Sequence, residues 1–359
     1  SPGPDEAGVG APAHLFADGL NPPQREAVEY GDGPLLVIAG AGSGKTRVLT
    51  HRIAHLLAAR RARPGEILAI TFTNRAATEM RGRVEQLIGA RARAMWVTTF
   101  HSACGRMLRG DAEKLGYARA FTIYDEADSI RMIKRVMEEL DVDPKRFPAR
   151  AIKNAISGAK NELIDPEEYK RRGGSYFEDT AAGVYALYEQ RMVESNAMDF
   201  DDLIAQAAVE VEARGTTASM HLGQGRMLPL RSIREILLDE YQDFSELYYR
   251  MLVAILSVCK DVRVVAVGDD WQAINAFAGA ETRFFHRFSE YFPGAKTVDI
   301  STNYRSDAAI VACSNELMHG LGPPAKPDRE SVGEIVVLDL RGAWIQFKRD
   351  PQNEDKWQE

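Results

Sequence analysis

A chain of 359 residues exceeds one average domain, and its 45% hydrophobic and 27% charged residues are typical of globular proteins with substantial cores. No apolar run approaches the roughly 18 residues that a membrane helix needs, and the first ten residues lack the apolar segment of a secretory signal. Three cysteines lie far apart without a CxxC pair, which argues against a disulfide framework or a zinc site and predicts a cytoplasmic protein without a membrane segment.

The net charge of −7 conceals an uneven distribution. Residues 45–109 contain 13 Lys and Arg against 3 Asp and Glu, so this block carries +10 and the other residues carry −17. A basic block on an acidic chain is one mark of a surface that binds the phosphate backbone of nucleic acid. Arginine-rich helix faces are also often merely solvated, so charge alone leaves both interpretations open.

The first part of the chain alternates strand-like and helix-like patterns. Residues 1–19 are predicted to form a disordered N-terminal segment, the lead-in. Residues 34–39 (PLLVIA) form a short apolar run before a glycine cluster and predict a buried strand, and residues 47–60 show helical spacing of their apolar positions. Residues 67–71 and 95–98 predict further strands, each followed by a helical stretch. This alternation is typical of a parallel α/β sheet.

Helical patterns then replace strands over residues 110–196, which predicts a helical insertion. Residues 215–229 are glycine-rich and weakly patterned and predict a loop. Two apolar runs, residues 233–238 and 262–267, predict that the sheet resumes after the insertion. The predicted fold class is therefore α/β, a parallel sheet interrupted by a helical insertion domain. A last strand is predicted at residues 333–340, before a polar tail without clear structure.

Residues 39–46 (AGAGSGKT) lie between a predicted strand and a predicted helix, the context that a phosphate-binding loop requires. Glycines let backbone N–H groups surround phosphate oxygens, and the N-terminus of the helix adds partial positive charge. We expect Lys45 to reach the β- and γ-phosphates of ATP and the Thr46 hydroxyl to bind Mg²⁺. The predicted nucleotide-binding residues of this loop are Ala39, Gly40, Ala41, Gly42, Ser43, Gly44, Lys45 and Thr46.

Residues 237–243 (LLDEYQD) place two carboxylates after a predicted buried strand. Ligands of α/β sheets bind at the carboxyl ends of strands, so we expect Asp239 to hold Mg²⁺ and Glu240 to orient and deprotonate the attacking water. Gln272, after the next strand, suggests a γ-phosphate sensor or else a polar loop. Arg305, in STNYRS, is either an arginine finger or an ordinary surface residue.

Aromatic residues occur among small polar residues within the basic block, with Phe72 in TFTNRAA and Phe100 in TTFHS. Base stacking on aromatic rings and contacts to phosphate are the usual means of holding single-stranded nucleic acid. Packing in the hydrophobic core is the alternative for each phenylalanine, and the sequence pattern leaves both open.

Taken together and in order, these segments resemble the superfamily 1 DNA helicases of the UvrD/Rep/PcrA type. LNPPQREAV is similar to the Q motif of that family, AGAGSGKTRVLTHRI to its phosphate loop, and ITFTNRAATEM and TTFHS to motifs Ia and Ib. AMDFDDL resembles a hallmark that precedes motif II, and LLDEYQD, VGDDWQAINAFAGA and STNYRS are similar to motifs II, III and IV. The resemblance covers residues 20–306.

The resemblance implies a RecA-like P-loop NTPase domain with an inserted domain. Residues 20–109 and 197–300 would form domain 1A, which binds ATP, and residues 110–196 would form domain 1B. Residues 301–359 would begin a truncated second RecA-like domain, 2A, and end in a polar tail. Closure of the two RecA-like domains on ATP would move single-stranded DNA with 3′→5′ polarity and unwind duplex DNA.

The resemblance also implies roles for single residues. Gln24 would bind the adenine edge, Tyr304 would stack on adenine, Arg47 would lie against the nucleotide and Arg305 would touch the γ-phosphate. The residues implied to contact DNA are Phe72, Thr73, Asn74, Phe100, His101 and Phe277.

This chain departs from the family pattern in two places. Motif III has Asn275 and Phe277 where the family usually shows Tyr and Trp, so one stacking platform is absent. Motifs V and VI have no counterpart, which predicts that a C-terminal region or a partner chain supplies them. Two other functions remain open: a non-motor module that binds ATP and DNA, and the ATPase subunit of a helicase–nuclease complex.

Overall fold

The structure is a computed structural model that describes residues 13–223, 226–273, 279–317 and 324–329, together with the backbone of three short strands nearer the C-terminus. Within this described part, no helix is both long and apolar enough to span a membrane.

The first stretch of the chain alternates strands and helices as its sequence predicts. The first two long strands are continuous apolar runs that are almost fully buried, which is typical of strands covered on both faces. The elements of this stretch are α1 Pro22–Glu29, β1 Leu35–Ala39, α2 Lys45–Ala58, β2 Ile67–Thr71, α3 Asn74–Ile88, β3 Trp96–Thr99 and α4 Phe100–Asp111.

The middle stretch consists mainly of helices that pack around a separate hydrophobic core. Ile133, Val136, Ile152, Val184 and Tyr188 are among its buried side chains. The helix that leads into this stretch, α4, continues through residue 110 to Asp111. The elements that follow it are β4 Thr122–Ile123, α5 Glu126–Glu139, α6 Ala149–Asn161, α7 Pro166–Arg172, α8 Tyr176–Glu194 and β5 Ala197–Met198.

The rest of the chain contributes three further strands to the parallel sheet, together with elements outside that sheet. Its elements are α9 Phe200–Arg214, β6 Ser219–Gly223, β7 Arg226–Pro229, β8 Glu235–Leu238, α10 Glu246–Val258, β9 Arg263–Gly268, α11 Arg283–His286, α12 Phe288–Tyr291, β10 Lys296–Ile300, β11 Thr302–Asp307, α13 Ala308–Leu317, β12 Lys326–Arg329, β13 Ile335–Leu338, β14 Trp344–Arg349 and β15 Trp357–Gln358.

Six strands form one all-parallel sheet in the order β10, β1, β9, β8, β2 and β3. Apolar clusters from the two faces of this sheet bury its strands. Parallel strands all end at the same edge, so the segments that follow β10, β1, β9, β8 and β2 are neighbours there. Each of these segments carries one of the motifs singled out above.

The helical stretch is joined to α9 by a buried charge cluster. The Lys160 ammonium on α6 lies 2.8 Å from Asp199 and 2.5 Å from Asp202, and it also pairs with Glu189 on α8 at 2.7 Å. Burial opposes its charge, but the three carboxylates keep the pKa of Lys160 well above its ordinary value. Removing one partner of such a buried cluster leaves an uncompensated charge, so the cluster fixes how α6 and α8 meet α9.

Three sequence predictions are wrong in the described residues. The lead-in is ordered from residue 13, where a 3-10 helix buries Phe16 and Ala17. Residues 215–229 contain the hairpin β6–β7, whose flanking residues Ala218 and Leu230 enter the core. The C-terminal tail contains β14 and β15, and β14 pairs antiparallel with β13.

Candidate ATP-binding and nucleic-acid site

The predicted phosphate loop connects the buried end of β1 to the first turn of α2. Gly42 and Gly44 have φ values of +73° and +95°, a left-handed backbone that favours glycine. The Ser43 hydroxyl donates to the Gly40 carbonyl at 2.7 Å and closes the turn. Lys45 and Thr46 begin α2, so both lie at a helix N-terminus, where backbone N–H groups attract anions.

Gln24 lies directly behind this loop and is buried. Its Nε2 donates to the Ser43 carbonyl at 2.8 Å, and its Oε1 accepts from the Asn21 N–H at 3.2 Å. A Cβ on Gly44 would lie 3.0 Å from Gln24 Nε2, so the two are in close contact. The contact of Gln24 with adenine stays a prediction. The structure shows in addition that Gln24 supports the phosphate loop through its hydrogen bond to the Ser43 carbonyl.

The acidic pair follows β8, next to β9 and two strands from the phosphate loop. The Glu240 backbone has a φ of +51°, unusual for a residue with a Cβ, and its N–H donates to Asp239 Oδ1 at 3.1 Å. Burial, and to a smaller extent the charge of Glu240, raise the pKa of Asp239 to about 7. A nearby positive charge favours the ionised form of a carboxyl group, so a cation bound here would lower this pKa again.

A polar network joins the phosphate loop to the acidic pair. Lys45 Nζ lies 3.1 Å from Glu240 Oε2 and 3.5 Å from Gln272 Oε1. Gln272 in turn donates to Asp269 at 2.6 Å. Glu240 and Gln272, which the sequence predicts from separate motifs, therefore both lie within hydrogen-bonding distance of Lys45.

Gln242 is a member of this network that our sequence analysis did not single out. Its Nε2 donates to Glu240 Oε2 at 2.9 Å, and its Oε1 accepts from the Asp269 N–H at 3.0 Å. A Cβ on Gly268 would lie 2.6 Å from Gln242 Oε1, so only glycine fits there without movement. The glutamine in LLDEYQD, two residues after the predicted base, was the available signal.

The STNYRS segment lies on the other side of the phosphate loop. The Tyr304 N–H donates to the Gly42 carbonyl at 3.0 Å, and the Tyr304 hydroxyl accepts from Asn21 Nδ2 at 2.7 Å. Arg305 is exposed, with its Cβ against Gly42. Arg47 is exposed as well and donates to the Gly19 carbonyl at 3.1 Å. The roles of Tyr304, Arg305 and Arg47 toward a nucleotide stay predictions.

The residues of the site fit a magnesium ion. Mg²⁺ is usually bound through one or two carboxylates together with substrate phosphates and water. Thr46 supplies a hydroxyl at the helix N-terminus, and Asp239 supplies a carboxylate whose ionisation burial disfavours. Among the described residues there is no cluster of three or more acidic, His or Cys side chains that would hold a metal by itself, so phosphate oxygens would complete the coordination.

Replacing Asp239 with Asn should stabilise the metal-free protein at neutral pH. The folded-state pKa of about 7 lies above the ordinary 3.8, so the stability that protonated Asp239 contributes is complete below about pH 4 and is lost as the pH rises to about 7. Since one pKa unit corresponds to about 1.4 kcal/mol, the advantage of Asp239→Asn in unfolding free energy should grow by about 2 kcal/mol between about pH 5.5 and 8. Urea unfolding with EDTA measures it.

The exposed Asp32→Asn variant is the control, and its stability should follow that of the wild type across this range. An advantage of Asp239→Asn that stays constant with pH would contradict the raised pKa. Under the same account, Asp239→Asn weakens Mg²⁺-dependent nucleotide binding. The substitution should therefore raise the unfolding free energy of the metal-free protein and lower its function.

A groove of about 400 Å³ runs from the acidic pair to the segment after β2. Glu240, Gln272 and Trp271 line one end, and Phe72 and Thr73 line the other. Phe72 is 43% exposed, so its ring is available to a ligand. The groove places a candidate base-stacking residue beside the candidate ATP site.

Thr73 and Asn74 are exposed at the start of α3. Thr73 caps this helix by accepting from the Ala76 N–H at 3.1 Å. Asn74 Oδ1 accepts from Ser102 Oγ at 3.1 Å on α4. The N-termini of α3 and α4 are thus linked at one edge of the sheet, where both offer partial positive charge to a phosphate backbone.

Phe100 corrects one prediction, because its ring is core rather than surface. It is 6% exposed and packs against Tyr248 and Phe244 at centroid distances of 4.7 and 5.4 Å. The neighbouring His101 is partly exposed and contacts Phe200, itself 43% exposed, at 4.8 Å. Phe200 is not among the residues predicted to contact DNA, although it lies within the AMDFDDL hallmark.

Burial lowers the pKa of His101 to about 4, with the charge of Asp199 opposing the shift. The imidazole is therefore neutral at physiological pH and can offer a hydrogen bond but no positive charge. Phe277 and Asn275 lie outside the described residues.

The all-parallel sheet, with a phosphate loop after β1 and an acidic pair after β8, defines a RecA-like P-loop domain. The chain belongs to the UvrD/REP helicase family, since the model of the UvrD/REP helicase N-terminal domain matches residues 20–293.

Three relatives show the extent of the similarity. The chain is 42% identical over 308 residues to the ATP-dependent DNA helicase PcrA of Bacillus subtilis, covering 85% of this chain and 40% of the relative. It is 42% identical over 317 residues to the ATP-dependent DNA helicase UvrD1 of Mycobacterium bovis, covering 86% and 40%. It is 41% identical over 299 residues to the PcrA of Staphylococcus epidermidis, covering 83% and 40%. The chain thus spans 40% of the length of these relatives.

Proposed function

We propose that this chain is the ATP-binding motor portion of a 3′→5′ DNA helicase that acts in DNA repair or recombination. The convergence of Lys45, Glu240 and Gln272 at one edge of the sheet carries the proposal. These three side chains come from different motifs, and together they can contact the terminal phosphate of ATP and the water that attacks it. The relatives named above are ATP-dependent DNA helicases, which supports the same activity.

In the proposed reaction, the triphosphate takes the place that Glu240 and Gln272 now occupy around the Lys45 ammonium. Lys45 then contacts the β- and γ-phosphates. Thr46 and Asp239 would hold Mg²⁺, which would neutralise charge on the phosphates. Glu240, released from Lys45 but still bonded to Gln242, orients the attacking water and accepts its proton. Gln272 senses the γ-phosphate. Because its side chain also lines the groove, a change at that phosphate changes the groove as well.

The groove between Gln272 and Phe72 supports coupling of ATP hydrolysis to movement on single-stranded DNA. A change at the γ-phosphate that shifts Gln272 or Trp271 alters the same surface on which Phe72 would stack a base. The proposed DNA surface also contains Thr73, Asn74 and His101, as the resemblance implies, and we extend it to Phe200. All four are exposed or partly exposed.

The remaining parts of the motor follow from the same proposal. Residues 20–109 and 197–300 form domain 1A, residues 110–196 form domain 1B, and residues 301–359 begin domain 2A. Motifs V and VI, which have no counterpart in these residues, would be supplied by a C-terminal region or by a partner chain. All three cysteines are free thiols, which fits the reducing cytoplasm.

Replacing Phe72 with Ala should lower the affinity for single-stranded DNA by about fivefold to 150-fold, since one base–aromatic stack contributes about 1–3 kcal/mol. The affinity of the wild type should fall steeply with salt, because phosphate contacts release counterions. The slope of that dependence should be unchanged in Phe72→Ala, because the ring neutralises no phosphate. Fluorescence anisotropy of a labelled oligonucleotide at several salt concentrations measures both quantities.

Val253→Ala, which trims an exposed apolar side chain on α10, is the control and should bind DNA as the wild type does. Equal DNA affinity of Phe72→Ala and wild type would remove Phe72 from the proposed surface. A wild-type affinity that hardly changes with salt would count against the basic block.

A non-motor module that binds ATP and DNA is the second candidate, since motifs V and VI are not found in this sequence. Steady-state ATP hydrolysis with and without single-stranded DNA separates the two. Stimulation of turnover by DNA in this chain alone supports the motor and eliminates the module, whereas binding of both ligands without turnover supports the module.

A further inference from the structure

Asn303 is a buried polar residue that neither the sequence analysis nor the proposed reaction uses. It lies just past the end of β10, the last strand of the ATP-binding sheet, on the segment that leads to the proposed second motor domain. The residue is 7% exposed. A polar side chain this deeply buried needs its hydrogen bonds satisfied, so its partners indicate its role.

The Asn303 carboxamide bonds in two directions. Its Oδ1 accepts from the backbone N–H groups of Arg305 at 2.9 Å and Ser306 at 2.8 Å, which shapes its own segment. Its Nδ2 donates to the Ala41 carbonyl at 2.9 Å, across 262 positions of sequence. One side chain therefore ties the phosphate loop to the backbone that carries Tyr304 and Arg305.

Three successive carbonyls of the phosphate loop are bonded from outside the loop. Asn303 holds that of Ala41, the Tyr304 N–H holds that of Gly42 at 3.0 Å, and Gln24 holds that of Ser43 at 2.8 Å. The C=O and N–H of a trans peptide point in opposite directions. Fixing the Ala41 and Ser43 carbonyls therefore leaves the N–H groups of Gly42 and Gly44 pointing away from these partners, where they can meet a phosphate, while the Ser43 N–H bonds the Gly40 carbonyl at 3.2 Å.

The packing leaves little freedom at this junction. A Cβ on Gly42 would lie 2.7 Å from Asn303 Oδ1 and 2.7 Å from the Arg305 Cβ. The loop and the segment are thus in direct contact, and a shift of one requires a shift of the other.

We propose that Asn303 is a positioning residue that keeps the phosphate loop in its anion-binding shape and couples the loop to the segment carrying Tyr304 and Arg305. The proposal rests on the proposed function, in which this loop binds ATP. Such coupling is reciprocal: occupancy of the loop by phosphate holds the segment, and displacement of the segment weakens phosphate binding.

The test compares two substitutions with a matched control. Asn303→Asp keeps the oxygen that accepts from Arg305 and Ser306 and loses only the donor to Ala41, whereas Asn303→Ala loses both. Asn315→Ala is the control, because the Asn315 amide also bonds backbone, to Ala325 at 2.9 and 3.0 Å, but does not contact the loop.

We expect both Asn303 variants to bind MgADP about tenfold more weakly than the wild type, because each leaves the Ala41 carbonyl without its donor. Hydrogen exchange at residues 40–44, measured without nucleotide, should be faster in both. MgADP should slow exchange at residues 303–307 in the wild type and have little effect there in Asn303→Asp. The Asn315 variant should match the wild type in all three measurements.

Wild-type exchange at residues 40–44 in both Asn303 variants would overturn the proposal, whether or not nucleotide binds. Weaker binding by Asn303→Asp alone would overturn it too, because the effect would then come from the added negative charge. If Asn303→Ala fails to fold, hydrogen exchange at residues 40–44 in Asn303→Asp, measured without nucleotide, decides. Failure of the wild type itself to bind MgADP would instead refute the proposed function. The role of Asn303 would then be decided by hydrogen exchange at residues 40–44 alone.

Discussion

Replacing Glu240 with Gln lowers DNA-stimulated ATP hydrolysis by about 10²- to 10⁴-fold, the usual contribution of a general base, and leaves nucleotide binding nearly unchanged. The substitution keeps the size of the side chain and an oxygen that can accept from Gln242 and Lys45, but removes the ability to take a proton. Steady-state hydrolysis by the intact protein, with and without single-stranded DNA, measures turnover. Titration with a fluorescent ADP measures binding.

Glu212→Gln, on the exposed face of α9, is the control for the loss of one negative charge and should retain full turnover. Two results would contradict the assigned role. Turnover of Glu240→Gln within a few-fold of the wild type would show that Glu240 is not the base. A parallel loss of nucleotide binding would show that the carboxylate acts in binding.

Replacing Lys45 with Ala should affect binding and turnover together. The ammonium is the charged donor nearest the acidic pair, 3.1 Å from Glu240, and hydrogen bonds to charged groups contribute about 1.5–3 kcal/mol. We expect nucleotide to bind about tenfold to 100-fold more weakly and DNA-stimulated turnover to fall below detection, because the same ammonium also stabilises charge on the transferred phosphoryl group. The two assays used for Glu240 apply unchanged.

Lys134→Ala, an exposed substitution on α5, controls for the loss of a surface lysine. Lys45→Arg should not restore turnover, because a planar guanidinium cannot occupy the place of a compact ammonium in a closed loop. Unchanged hydrolysis by Lys45→Ala would refute the assignment of the phosphate loop.

The centre of the site was predictable from sequence because its signals are local. An apolar strand followed by glycines and a helix specifies the phosphate loop, and β1 and α2 lie within two residues of their predicted limits. The acidic pair is equally local, since Asp239 directly follows a buried run of apolar residues. Parallel pairing then brings these loops together, because every strand of the sheet ends at the same edge.

Features that depend on distant partners were not predictable in this way. Phe72 and Phe100 both follow threonine after a buried strand, yet Phe72 lies on an exposed turn while Phe100 begins α4 and enters the core. Asn303 has partners 262 positions away, which no local pattern reveals. Strand β10 was not predicted, because only Val298 and Ile300 of its five residues are buried. Two apolar positions are too few to form a recognisable strand pattern in the sequence.

The most direct test is to locate the metal ion in crystals of this chain grown with Mn²⁺ and a non-hydrolysable ATP analogue, using anomalous scattering. We expect one manganese peak about 2.0–2.2 Å from the Thr46 hydroxyl and from phosphate oxygens, with Asp239 bound directly or through one water and Lys45 on the β- and γ-phosphates. A nucleotide at this loop with its ion remote from Asp239, or an ion and a nucleotide at separate places, would contradict the account.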